Sequence, residues 1–282
     1  MKVSGLWQLY LSAKTLERYS PKTLKQYSLY SGLFIRDTGD PDISALDLAA
    51  LKTYLADQTH LKASSLNTRI RFLRSLFNWA HREGVMKDNI AWKLKESRTS
   101  KRVPKALSEE IMEKMRMGCR FDIEHALVEL FFASGCRLEE LRQMNRADLN
   151  WHTQSFMVIG KGDKEREAMF STRARLYVQR YLDSRTDDHE ALFVTMRRPI
   201  RRVSSATIQY TFKRIAKRAG VKLELISPHK FRHTFAVRLM DNGAPLEVIQ
   251  TLLGHEKAET TRLYADLSGE ARRRLYKKHF HG

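Results

Sequence analysis

Arginine, histidine and tyrosine gather in one short segment of the chain, SPHKFRHTFAVRLMDNGAPLEVIQTLLGHEKAETTRLY, residues 227–264. Ser227 is a suitable helix N-cap and Pro228 a suitable first helical residue. His229 and Arg232 then stand three apart and share one face of the first turn. The positive end of the helix dipole lies beside them and favours an anion there. Gly243 can end that helix. Ala244-Pro245 opens a second one through Leu246, Ile249 and Leu253, which Gly254 closes. His255 follows directly, and the sequence TTRLY then supplies the phenol of Tyr264. A phosphate held by arginine and histidine beside a phenol is the outline of phosphoryl transfer through a covalent tyrosine. His229 and His233 also stand four apart, as in a zinc pair, but Lys230 replaces the glutamate of H-E-x-x-H and no third ligand has suitable spacing. No metal and no cofactor are expected.

The segments upstream must bring more cations to that phosphate. Ser108 caps a helix with Glu109 and Glu110 in its first turn. An apolar helix follows through Ala126, Leu127, Leu130 and Phe131, and then ASGCRLEELRQM. Arg137 comes after a Ser-Gly turn, so it starts a new helix, pointing at an anion. Glu140, three residues on, is placed to orient it by a bidentate pair. SFMVIGKGDKEREAMF reads as a β-hairpin with Lys161 in its turn. That turn is not a P-loop, because the G-x-x-x-x-G-K-[ST] spacing is absent. Residues 172–182 read as a helix and ALFVT as a short strand. The loop that follows carries Arg197, Arg198, Arg201 and Arg202, a density that fits contact with backbone phosphates. Ser204 or Ser205 caps the next helix. Beyond Tyr264, Leu267, Ala271 and Leu275 form the apolar stripe of a last, basic helix.

Residues 1–98 predict a separate small domain of four helices with little strand signal. Ser20-Pro21 opens the second helix, Ser44 or Asp47 the third and Ser64-Ser65 the fourth. In the fourth, Leu66, Ile70, Leu73, Phe77 and Ala80 fall at helical spacing. Lys62, Arg69, Arg71 and Arg74 lie on or near its outer face. Charged helix faces are usually only solvated, which is the better reading of any single one of these four; the functional reading is contact with DNA phosphates. From residue 88 the chain turns polar and basic, and residues 99–107 are expected to be a basic connection to a chemical domain at 108–282. Arg98, Lys101 and Arg102 lie in that stretch, where they could run along a phosphate backbone.

The composition agrees. Lys plus Arg total 51 against 32 Asp plus Glu over 282 residues, a formal charge of +19, which calls for a polyanionic partner. The basic residues are spread along the chain and not confined to one amphipathic helix, and no apolar run approaches a membrane span. Two cysteines, Cys119 and Cys136, are too few for a disulfide framework. A cytoplasmic, reduced protein associated with the nucleoid is expected.

H-x-x-R, then L-G-H, then a tyrosine nine positions on (264 − 255 = 9), with S-G-C-R-L-E-E-L upstream and G-K-G at 160–162, resembles the tyrosine recombinases, or phage integrases, and most closely their small Xer-like members. The resemblance is strong over residues 134–264 and weaker before. It implies a mainly α protein with a small β-sheet. An N-terminal four-helix, SAM-like core-binding domain and a C-terminal α+β catalytic domain would form a clamp around DNA. It also implies a site-specific recombinase in which Arg137, Arg232 and His255 hold the scissile phosphate and Tyr264 attacks it. On the same resemblance Lys161 protonates the leaving 5′ oxygen, Glu140 supports Arg137, and His229 accepts the phenol proton. The implied partner is duplex DNA with an inverted-repeat core site. The implied assembly is a homotetramer, or a heterotetramer with a paralogue, held through the C-terminal helix, although docking of that helix on its own domain is equally open. Dimer resolution and the movement of a mobile element both fit. A type IB topoisomerase-like enzyme and a non-catalytic DNA-binding regulator are the alternatives.

Overall fold

The computed structural model describes residues 1–98, 106–159, 165–254 and 269–280. The chain divides into two compact units, Met1–Arg102 and Val103–Gly282, each with its own hydrophobic core.

The first unit holds α1 (Val3–Leu16), α2 (Pro21–Thr38), α3 (Leu48–Ala56) and α4 (Ala63–Arg82). Local chemistry sets the boundaries. The Ser20 hydroxyl accepts from the Thr23 amide, Pro21 fills the first turn, and Gly39 closes α2 in the left-handed region at φ 75°. Asp47, not Ser44, caps α3 by accepting from the Ala50 amide at 2.7 Å. α4 departs from expectation: its N-cap is Lys62, which makes no side-chain cap, and Ser64 and Ser65 lie inside the helix. Burial of its apolar stripe therefore defines this helix more than capping does. Leu6, Tyr10, Phe34, Leu51, Leu76 and Phe77 form the centre of the core.

The stretch from residue 88 also differs from a polar connection. Ala91 and Leu94 are buried in the first core. Asn67 holds Ser97 on both sides, donating to its carbonyl at 2.9 Å and accepting from its amide at 2.8 Å. The apolar residues among the lysines supply the burial that composition alone obscures. At the other end, Leu107 belongs to the second core, and its amide donates to Thr234 Oγ1 at 2.9 Å.

The second unit holds α5 (Glu109–Met117), α6 (Asp122–Ser134) and α7 (Leu138–Gln143), then β1 (Leu149–Asn150), β2 (Ser155–Ile159) and β3 (Glu165–Met169). It continues with α8 (Thr172–Asp183), α9 (Ser205–Arg218), α10 (Pro228–Asp241), α11 (Leu246–Leu253) and α12 (Gly269–His279). The three strands form one antiparallel sheet in the order β1-β2-β3. ALFVT is not a strand of it. Its backbone is shared between two neighbours, with the Leu192 amide on the Met144 carbonyl and the Val203 amide on the Phe193 carbonyl, so only isolated bridges form.

α6 is the central element and is buried on nearly every side. Glu124, 0% exposed, accepts from the Arg120 amide, Arg214 and Arg218 and so ties α6 to α9. Burial alone would raise its pKa, but these donors hold the carboxyl below its ordinary value. α12 docks on its own unit. Tyr276 donates to the Ala133 carbonyl at 2.7 Å, and the Phe280 and Phe235 rings lie 5.3 Å apart. Among the described residues, no helix is long and apolar enough to cross a membrane.

Candidate active site

Three local devices place the charged side chains of the second unit. α6 ends at Gly135 in the left-handed conformation, φ 60°, and the reversed chain presents Arg137 as the N-cap of α7. Ser227 caps α10 by accepting from the Lys230 amide, and Pro228 opens that helix, which puts His229 and Arg232 on its first turns. α11 stops at Gly254, φ 65°, leaving its last carbonyls free to accept.

The carbonyls at the ends of α6 and α11 receive the arginines. Arg232 is 7% exposed and donates to the Gly135 carbonyl at 2.7 Å and the Leu253 carbonyl at 2.6 Å. Arg137 donates through Nη2 to the Gly254 carbonyl at 3.2 Å and through Nη1 to Glu140 Oε1 at 2.7 Å. Its backbone amide donates to Glu140 Oε2 at 2.6 Å. Glu140 therefore acts as half of a capping box. The bidentate guanidinium–carboxylate pair expected from the sequence does not form, because the second oxygen is taken by the amide.

Glu140 Oε2 has another partner that sequence reasoning missed. Arg166 Nη2, on β3, donates to it at 2.8 Å. Among the described residues, the three guanidiniums of Arg137, Arg166 and Arg232 stand against the one carboxylate of Glu140, a local excess of positive charge. Burial pushes the Arg232 guanidinium down to about 10, and Arg137 and Arg166 beside it push in the same direction. Arg232 still carries its proton at neutral pH, and among the described residues no carboxylate pairs with it. Its charge is met by two carbonyl dipoles among the described residues, one of them Leu253 at the negative end of α11.

A cleft of about 450 Å³ opens over this cluster, lined by Arg137, Gln209, Ser227, His229 and Arg232 among others. His229 is exposed at this cleft while Arg232 lies beneath. The structure thus brings together Arg137, Glu140, His229 and Arg232. Lys161, His255 and Tyr264 lie outside the described residues, as do Lys101 and Arg102. Two of them adjoin described elements: Gly254 precedes His255, and β2 and β3 lie on either side of residues 160–164.

Gly135 cannot be replaced without cost to this arrangement. A Cβ there would sit 2.4 Å from Phe235 Cδ1, at a φ that L-residues disfavour. Gly135→Ala is expected to destabilise the chain by about 2–5 kcal/mol, the sum of left-handed strain and overpacking. Chemical denaturation measures this, and a midpoint equal to wild type would show that Phe235 moves aside freely.

The expected DNA-contacting residues divide. Lys62, Arg74 and Arg98 are exposed. Arg71 is exposed too, but it pairs with Glu96 through Nη2 at 2.6 Å. Arg71 and Arg74 line a cleft of about 480 Å³ with Asn78, Asn89 and Trp92. Arg69 is half-buried, with its guanidinium on Gln58 and Tyr54. Arg197, Arg198 and Arg201 stand out from their loop. Arg202 does not belong with them. It donates to the Arg142 carbonyl at 3.0 Å and the Met144 carbonyl at 2.7 Å, and also to Asn145, so it ties the loop to the end of α7.

The profile of the Phage integrase family matches residues 91–270. The tyrosine recombinase XerD of Proteus mirabilis is 31% identical over 282 residues, covering 95% of this chain and 88% of the relative. Among solved structures, a lambda integrase fragment as a dimer bound to a COC′ core site aligns with a TM-score of 0.75 at 19% identity, over 91% of this chain and 96% of that one. A lambda integrase tetramer bound to a Holliday junction aligns with a TM-score of 0.73 at 18% identity, over 91% and 78%. At such identities these two likenesses concern the fold. Nothing in these comparisons favours a topoisomerase or a regulator.

Proposed function

The chain belongs to the phage integrase family and is a tyrosine-type site-specific DNA recombinase, and on that premise we propose that it cuts and rejoins strands through a 3′-phosphotyrosine at Tyr264. The observation that carries this reading is the convergence of Arg137 and Arg232 on one cleft, with His229 exposed at it.

The two guanidiniums neutralise the non-bridging oxygens of the scissile phosphate as negative charge builds on them, and His255 adds a hydrogen bond. Each such preorganised donor is worth roughly 10²–10³ in rate. The Tyr264 oxygen attacks phosphorus while the bond to the 5′ oxygen breaks. His229 takes the phenol proton, and Lys161 gives a proton to the leaving oxygen. The phosphodiester is exchanged for a phosphotyrosine ester of similar energy, so no ATP is required. A 5′-hydroxyl from another strand then reverses the step.

Duplex DNA with an inverted-repeat core is the substrate. The positive charge of the first unit's α4 and of the 197–201 loop supplies phosphate contacts. The known DNA-bound dimer and tetramer of lambda integrase support an assembly of four protomers on two duplexes, of this chain alone or with a paralogue. Chromosomal DNA in the nucleoid and the DNA of a mobile element are both within its reach. The test is a nicked duplex that loses its short 5′ fragment after cleavage, so that religation is blocked. Wild-type protein is expected to accumulate a covalent adduct resistant to detergent on a denaturing gel. A chain that binds the duplex without any adduct would overturn the reading.

A further inference from the structure

Arg166 is a charged residue facing inward from a sheet. Its Cδ and Nε press against Gly254, where an added Cβ would lie 2.7 Å from each. Its side chain is 11% exposed, and Nε and Nη1 are buried with no hydrogen-bond partner among the described residues. A guanidinium is costly to bury in this way. The cost is explained by what Arg166 touches.

Arg137 is exposed, with its side chain 42% accessible, and among the described residues its guanidinium has two anchors: Glu140 and the Gly254 carbonyl. Arg166 holds both. Its Nη2 fixes Glu140 Oε2, which leaves Oε1 aimed at Arg137 Nη1. Its stem packs against Gly254 and sets where that carbonyl points. Arg166 also stands beside Arg232, whose charge it opposes. The strand pairing explains how it arrives there. Arg166 lies opposite Val158, two residues before the buried Ala168, so the pleat directs it into the unit.

We infer that Arg166 is a positioning residue for phosphate neutralisation: by bracing Glu140 and Gly254 together it holds the Arg137 guanidinium, and itself never touches DNA. This rests on the phosphotyrosine reading above, and the test separates the two.

The experiment compares single-turnover cleavage of a nicked duplex with an ordinary scissile phosphate and one with a neutral methylphosphonate there. The methyl group removes the charge that an arginine must balance. Arg166→Met is expected to cleave the phosphate roughly 10–100-fold more slowly, as loss of a supporting partner typically does. On the methylphosphonate the loss is expected to shrink to less than about threefold, the pattern of a missing phosphate cation. Affinity for the duplex stays within about twofold, because no phosphate contact is lost. Equal loss on both substrates, or no loss on either, overturns the role of Arg166. Should Arg166→Met fail to fold, Arg166→Lys, which keeps a charge opposite Glu140 without the planar fork, is read against the same two outcomes. A wild-type chain that forms no adduct on either substrate overturns the underlying chemistry instead.

Discussion

Tyr264→Phe is expected to bind its duplex as wild type does and to form no covalent adduct at any time of incubation. The substitution removes one oxygen, the nucleophile itself, and leaves every cation in place. Affinity for DNA comes from many phosphate contacts distributed over a chain of charge +19. None of them depends on a phenol hydroxyl, so a gel-shift titration should superpose on wild type. Covalent catalysis has no substitute atom at that point, because phenylalanine offers no lone pair to phosphorus. A detergent-stable adduct in this variant would move the nucleophile to another residue and dismantle the sequence pattern from which Tyr264 was assigned.

How far that pattern could be read depended on the kind of interaction involved. Ser20, Asp47, Ser108, Ser204 and Ser227 all act as caps, since a cap is a contact with a backbone amide two or three residues away. The antiparallel pair of β2 and β3 and the start of α7 at Arg137 were legible from equally local signals. What escaped was set by distant partners. Arg202 looked like one more member of a basic loop, but its acceptors are carbonyls some sixty residues earlier, in a turn whose position only the fold determines. The hydrogen bonds of the arginine pair to Gly135, Leu253 and Gly254 are made to backbone atoms, which no residue type announces. Arg166 had a signal that went unused. Counting by twos back from Phe170 and Ala168 puts it on the buried face, and an arginine there stands out from the solvated ones.

The same geometry fixes what Arg137→Ala should do. Its guanidinium is the exposed partner of the pair, so truncation opens no core cavity. Glu140 is not abandoned by the loss: its Oε2 keeps the backbone amide at position 137 and Arg166, and so no buried carboxylate is left without a cation. Glu140 Oε1 does lose its donor, so stability is expected to fall by about 1–2 kcal/mol, while DNA affinity changes only slightly, since one contact among many disappears. Cleavage is another matter. The donor is held in place before the reaction and faces charge that develops only in the transition state, so its removal should slow single-turnover cleavage by about 10²–10³, or roughly 2.7–4 kcal/mol. A quench-flow or manual time course of adduct formation at saturating protein reads this directly. Cleavage at the wild-type rate by a folded, DNA-bound Arg137→Ala chain would mean that Arg232 alone balances the phosphate, and that the paired carbonyl anchors at the end of α11 serve the fold and not the chemistry.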